Sequence, residues 1–186
     1  MAVNGQKTLG QLLNCACSNF EPASGASHKC VHCGASIYHF CTADQLGMLP
    51  PFETGNSSNP TDISLVWGTV EQITPSFHER IKIVQEIIKD LPHRTSVGAD
   101  IAGGAGRWLP HLSVDFDSFI HLDISREALR HAYLAHRELH NVLYVQNDLY
   151  ADRQAIRDAD VVFCLDTLLY SGEFVDRALV SISKAL

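Results

Sequence analysis

From residue 96 to the end of the chain, short apolar runs alternate with helical patterns, and this alternation restricts the fold more than any other feature of the sequence. "SVGADIAG" reads as a strand, residues 106–113 as a short helix, "FIHLDI" as a strand and "SREALRHAYLAHRELH" as a helix capped by Ser125. "NVLYVQND" follows as a strand, residues 152–158 as a short helix, "DVVFCLD" as a strand and "GEFVDRALVSISKAL" as a helix. Upstream, "TPSFHERIKIVQEIIKDLP" carries Phe77, Ile81, Val84, Ile88 and Leu91 at helical spacing; Thr74 can cap it, Pro75 suits its first turn and Pro92 stops it. Strands separated by helices do not pair as hairpins. They predict an α/β class, a parallel Rossmann-like sheet covered by helices, with ligands at the carboxyl ends of its strands where the strand order reverses.

Composition removes several alternatives. No segment approaches the roughly 18 consecutive apolar residues of a membrane span, and "MAVNGQKTLGQLL" lacks the basic start and apolar core of a secretory signal, so a cytoplasmic protein without a membrane partner is expected. A net charge of −7 in 186 residues weighs against a surface that neutralises many phosphates. A small-molecule partner is therefore favoured over nucleic acid.

The first βα turn is "GADIAGGAG", residues 98–106. Glycine here lets the backbone approach a ligand that a Cβ would hold off, and the helix start beyond offers free N–H groups. A dinucleotide fingerprint beginning at Gly104 would need glycine or alanine where Leu109 stands, which disfavours a nicotinamide oxidoreductase. Asp100, Asp123 and Asp148 fall at three successive strand ends and so at one edge of the expected sheet. There they can bind hydroxyls, an ammonium group and an exocyclic amine, the groups that a sulfonium nucleoside carries. Taken singly, each acid has a plainer reading: Asp123 before Ile124 and Ser125 as a strand end and helix cap, Asp100 as a turn former, Asp148 and Asp166 as loop acids. Their joint register favours a site.

With these residues in place, the stretch from about residue 74 to 186 resembles the class I S-adenosylmethionine-dependent methyltransferases, whose first motif runs acid-x-Gly-x-Gly-x-Gly. "DIAGGAG" matches at Asp100, Gly104 and Gly106, with Ala102 in place of the first glycine. The resemblance implies S-adenosylmethionine as cofactor, Gly104 and Gly106 shaping the loop around its methionine part, and Asp123, followed by Ile124, taking the ribose hydroxyls. It further implies Asp148 and the Leu149 backbone at the adenine edge, and Asp166 on the methionine and substrate side. Leu169 and Tyr170 stand where the family often has Glu-His, which leaves Tyr170 and Asp166 as candidate bases by position alone. Trp67 falls in a segment that could cover the cofactor, or in the core. The family sheet has seven strands in the order 3-2-1-4-5-7-6, and this chain ends after the fourth, so "VVFCL" is expected at an edge, to be answered by a dimer mate, a partner chain or the missing strands of a longer protein. The activity implied is methyl transfer to a small-molecule acceptor. The alternative is a non-catalytic methyltransferase-like binding or assembly module.

Five of the six cysteines, Cys15, Cys17, Cys30, Cys33 and Cys41, lie in the first 41 residues. "CVHCG" has the Cys-x-x-Cys-Gly spacing of a zinc knuckle, and Cys15, Cys17, Cys30 and Cys33 would close a structural Zn2+ site, with His28, His32, His39 and Cys41 as substitute ligands. The order of a zinc-ribbon-like module and then a methyltransferase fold is similar to bacterial large-subunit ribosomal RNA guanine-N1 methyltransferases. Three segments follow: a cysteine-rich module over 1–52, a linker and lid over 53–73, and an incomplete Rossmann-like domain over 74–186.

Overall fold

The computed structural model describes residues 20–22, 27–30, 36–38, 75–91, 96–150, 156–168 and 171–186. Three short strands come first: β1 (Phe20–Pro22), β2 (Ser27–Cys30) and β3 (Ser36–Tyr38). Helix α1 (Pro75–Lys89) precedes β4 (Val97–Ile101), α2 (Leu109–Leu112) and β5 (Ser118–Asp123). Then come α3 (Arg126–Ala135), β6 (Val142–Gln146), β7 (Val161–Phe163) and α4 (Val175–Ser183).

The strands form one sheet in the order β1-β2-β3-β6-β5-β4-β7. Its heart is parallel: β6, β5, β4 and β7 stand side by side with aligned registers. This is the 3-2-1-4 order expected of the first four strands. The N-terminal strands extend the sheet beyond β6, where β3 pairs antiparallel. At the other end, among the described residues, β7 pairs with β4 alone.

Period-two alternation splits each parallel strand between two cores. Val97, Ala99 and Ile101 of β4, Ile120 and Leu122 of β5 and Val145 of β6 face one side, where Ala178 of α4 joins them. The opposite face carries Phe119 of β5 and Phe163 of β7 against Phe77, Ile81 and Ile88 of α1 and Leu112 of α2. Leu129, Ala132 and Tyr133 of α3 cover the rest of that face beside Tyr144 of β6. Both faces are buried, which is why these strands read as nearly continuous apolar runs.

Two expected elements differ in extent. The helix expected over 106–113 is regular only over Leu109–Leu112, with Pro110 in its first turn, and passes into a 3-10 turn at Ser113–Asp115. Residues 151–155 of the helix expected near 152–158 lie outside the described residues, while 156–158 form a bridge and a loop. At the amino edge of the sheet, the Asp160 carboxylate accepts the N–H groups of Ser96 and Val97 at 2.8 Å each, tying β7 to the start of β4. No helix among the described residues is long and apolar enough to cross a membrane.

Candidate functional site

The predicted acids lie at or near the carboxyl ends of the parallel strands. Asp123 is the last residue of β5 and only 6% exposed. Its two oxygens take backbone donors from both sides: Gly104 N–H at 2.8 Å and Ser125 N–H at 2.7 Å. The second bond accompanies the cap of α3, where Ser125 Oγ accepts from Ala128 N–H at 3.2 Å. The plain reading of "DIS" as a strand end and helix cap and the reading of Asp123 as a ligand are thus compatible, because a carboxylate has about four acceptor positions and the backbone fills two. Burial pushes the Asp123 carboxyl above the usual aspartate value, against the lowering effect of those two N–H groups.

The glycine turn is built by three residues in the left-handed region: Ala102 at φ 59°, Gly104 at 59° and Gly106 at 81°. Ala102 therefore keeps the conformation that the missing glycine would adopt freely, at a cost of about 1–2 kcal/mol. Its carbonyl accepts from Thr167 Oγ1 at 3.1 Å, which pins the turn to the loop after β7. Gly104 and Gly106 have different surroundings. A Cβ on Gly104 would meet nothing within 4 Å, so this stretch of backbone is open to an incoming group. A Cβ on Gly106 would come within 2.8 Å of Ala132 Cβ, so that glycine lets the turn pack on α3.

The remaining predicted residues take separate places. Asp100 is 1% exposed, one residue before the end of β4, and faces His121 of β5 rather than solvent. Ile124 is exposed beside Asp123. Asp148 lies two residues beyond β6, exposed, and its carboxylate accepts Tyr150 N–H at 2.8 Å, while Leu149 is buried. Asp166 follows β7 at φ 63° and is ion-paired with Arg80 of α1, and its other oxygen accepts from Trp108 Nε1 at 3.3 Å. Arg80 also lies 5.5 Å from the centres of both the Phe77 and Trp108 rings. Trp67, Leu169 and Tyr170 lie outside the described residues. Cys164, next to the edge strand, is a packed thiol: burial, then the nearby Asp100, pushes it up to about 12.

Of the expected zinc ligands, Cys15, Cys17 and Cys33 lie outside the described residues, as do His32, His39 and Cys41. Cys30 closes β2 and His28 sits within it. Among the described residues, no group of three or more His, Cys, Asp or Glu side chains converges as a metal site.

Sequence reasoning missed His121, Arg80, Trp108 and Thr167. Only His121 left a local signal, standing two residues before Asp123 and so on the same face of β5.

No protein-family model matches the chain, and no curated protein matches it. Solved structures do. The N-methyltransferase NodS from Bradyrhizobium japonicum WM9, in complex with S-adenosyl-L-homocysteine, aligns at TM-score 0.59 and 15% identity over 69% of this chain and 68% of its own. The sugar N-methyltransferase KedS8 from Streptoalloteichus sp ATCC 53650 aligns at 0.54 and 20% identity, over 74% of this chain and 54% of its own. The amino pentose methyltransferase CalS10 from Micromonospora echinaspora, with S-adenosylmethionine bound, gives 0.52 and 17% identity, over 72% and 55%. The chain spans about half the length of several such structures, 46% and 47% in two further cases. With the parallel β6-β5-β4-β7 core, this likeness shows an α/β Rossmann-like fold, which the chain shares with those methyltransferase structures.

Proposed function

We propose that the chain binds S-adenosylmethionine at the carboxyl edge of β4, β5 and β6 and transfers its methyl group to a small-molecule acceptor. The observation that carries this reading is Asp123: a nearly buried carboxylate at a strand end, held by two backbone N–H groups, beside a glycine whose open side leaves room for a ligand. Its unfilled acceptor positions suit a pair of ribose hydroxyls. Asp148 and the Leu149 backbone, past the end of the neighbouring strand, would read the adenine edge. Asp166, past β7 and set between Arg80 and Trp108, would line the methionine and acceptor end.

When bound, S-adenosylmethionine supplies a methyl group on a sulfonium, displaced in line by the acceptor. Such a displacement depends mainly on positioning, and a base is needed only where the acceptor must lose a proton. The pinned turn, fixed by Thr167 and Asp123, provides that positioning. Two of the similar proteins are by name an amino pentose methyltransferase and a sugar N-methyltransferase, which supports an amino sugar as the acceptor class. Incubation with methyl-labelled S-adenosylmethionine and a panel of amino sugars, small amines and ribosomal RNA tests the reading. Label in a small molecule is expected; label confined to RNA would replace the acceptor class, and label in none would leave a non-catalytic binding module.

A structural zinc site at the N-terminus is a second proposal, carried by the backbone of the short strands. Cys30 ends β2 and Cys33 falls, by sequence, between β2 and β3, which pair antiparallel, and the Cys-x-x-Cys spacing is that of a zinc knuckle. Phe20, which opens β1, stands opposite Cys30, and Cys17 precedes Phe20 by three residues. Elemental analysis is expected to find one zinc per chain, lost in Cys30→Ser; a metal-free, folded wild-type chain would refute this.

A further inference from the structure

We infer that His121 is a positioning residue for the glycine turn: seated between Asp100 and Gly104, its imidazole fixes the Gly104 peptide so that the N–H of that residue stays on Asp123. The inference rests on the proposed cofactor site and deepens it by assigning a role to a buried histidine.

Sheet register brings the parts together. Asp100 of β4 is the parallel partner of His121, and His121 is the partner of Tyr144 on β6, so the three side chains stand in one row on one face. His121 is fully buried. The Tyr144 ring packs edge-on against it, 5.8 Å between centres, and blocks it from that side. On the other side, His121 Nδ1 lies 3.3 Å from Asp100 Oδ2, and neither atom makes a directional hydrogen bond. The ring's one hydrogen bond runs along the sheet edge: Nε2 is 3.0 Å from the Gly104 carbonyl oxygen. A carbonyl only accepts, so Nε2 carries the proton there.

Gly103 shows that the turn is shaped around this ring. A Cβ at position 103 would fall 2.2 Å from Asp100 Oδ2 and 2.3 Å from His121 Cε1, so only glycine fits. The motif leaves that position unspecified, and the need for glycine here comes from the Asp100 carboxylate and the histidine together. Gly104 has the opposite character. It sits at φ 59° with nothing near its Cβ side, so no packing on that side holds it. Its own N–H goes to Asp123 Oδ2 at 2.8 Å and its own C=O accepts from His121 Nε2 at 3.0 Å, while the Gly103 C=O of the preceding peptide accepts from Gly106 N–H at 3.2 Å. Glycine is the residue whose backbone strays most easily when such ties are cut. Losing the His121 bond should therefore loosen the carboxylate that is proposed to hold the ribose.

Two amide substitutions separate this role from simple core filling. A glutamine side chain places its amide nitrogen near the position of Nε2 and can reach Gly104, whereas asparagine reaches only as far as Nδ1. In His121→Asn, the Gly104 amide is expected to lose hydrogen-exchange protection in the ligand-free protein, and S-adenosylhomocysteine affinity to fall about tenfold. His121→Gln is expected to keep both close to wild type. Gly103→Ala, which crowds the ring and the Asp100 carboxylate without changing either, is expected to lose the same Gly104 protection and serves if the asparagine variant does not fold. Unchanged Gly104 protection in folded His121→Asn or Gly103→Ala, or equal losses in the Asn and Gln variants, would overturn the inference. The exchange readout needs no ligand: if protection follows the prediction but wild type binds no S-adenosylhomocysteine, the cofactor reading fails and the positioning role of His121 stands.

Discussion

Phe119→Ala is expected to cost about 3–5 kcal/mol of folding stability, a large part of the roughly 5–15 kcal/mol available to a domain of this size. Phe119 is fully buried in the middle of β5 and meets Phe116 and Phe163 at ring-centre distances of 5.5 and 6.2 Å. The adjacent strand cannot collapse into the space that it would leave. Gly98 of β4 already lies so close that a Cβ there would come within 2.7 Å of the Phe119 ring, and both strands are fixed in register. The cavity term therefore adds to the lost transfer energy. Urea denaturation of the variant should show a lower midpoint with an unchanged slope. A loss below about 1 kcal/mol would mean that the aromatic cluster between α1 and the sheet repacks freely.

Asp123→Ala is expected to weaken S-adenosylhomocysteine binding by about 1.5–3 kcal/mol, roughly 10- to 150-fold, as for hydrogen bonds to a charged group. The substitution removes the acceptor and also leaves Gly104 N–H and Ser125 N–H without their partner. Acidity gives an independent check. Because burial raises the Asp123 value, the acid takes up its proton at a higher pH than an exposed aspartate. Affinity for the ligand should therefore decline as pH falls through that raised value, since protonation converts an acceptor into a donor. The Asp123→Ala variant should lack this step. Stability runs the other way. The favourable contribution of a raised carboxyl is fully present below its unfolded value near 3.8 and is lost as pH rises through the folded one, so the ligand-free fold carries the ionised group at a cost.

The parallel strands were legible in the sequence because each is buried on both faces, which concentrates Val, Ile, Leu and Phe into short runs. Asp123 was legible because strand end, acid and cap sit within three residues of each other. What spacing could not reveal lies far apart in the chain. Arg80 meets Asp166 across 86 residues, and Thr167 meets Ala102 across 65. The antiparallel join of β3 to β6 was equally hidden, since three-residue strands carry too little alternation to announce a partner. Asp100 shows the limit from another side. Its motif position matched a ligand-facing acid, yet the histidine that it faces in the fold is visible only through register.

Calorimetric titration of S-adenosylhomocysteine into the folded wild-type chain is expected to show one saturable site with a dissociation constant in the micromolar range. A folded protein that gives no binding heat across several temperatures and no shift of the Gly104 amide, or one that instead binds NAD, would contradict the proposed cofactor site.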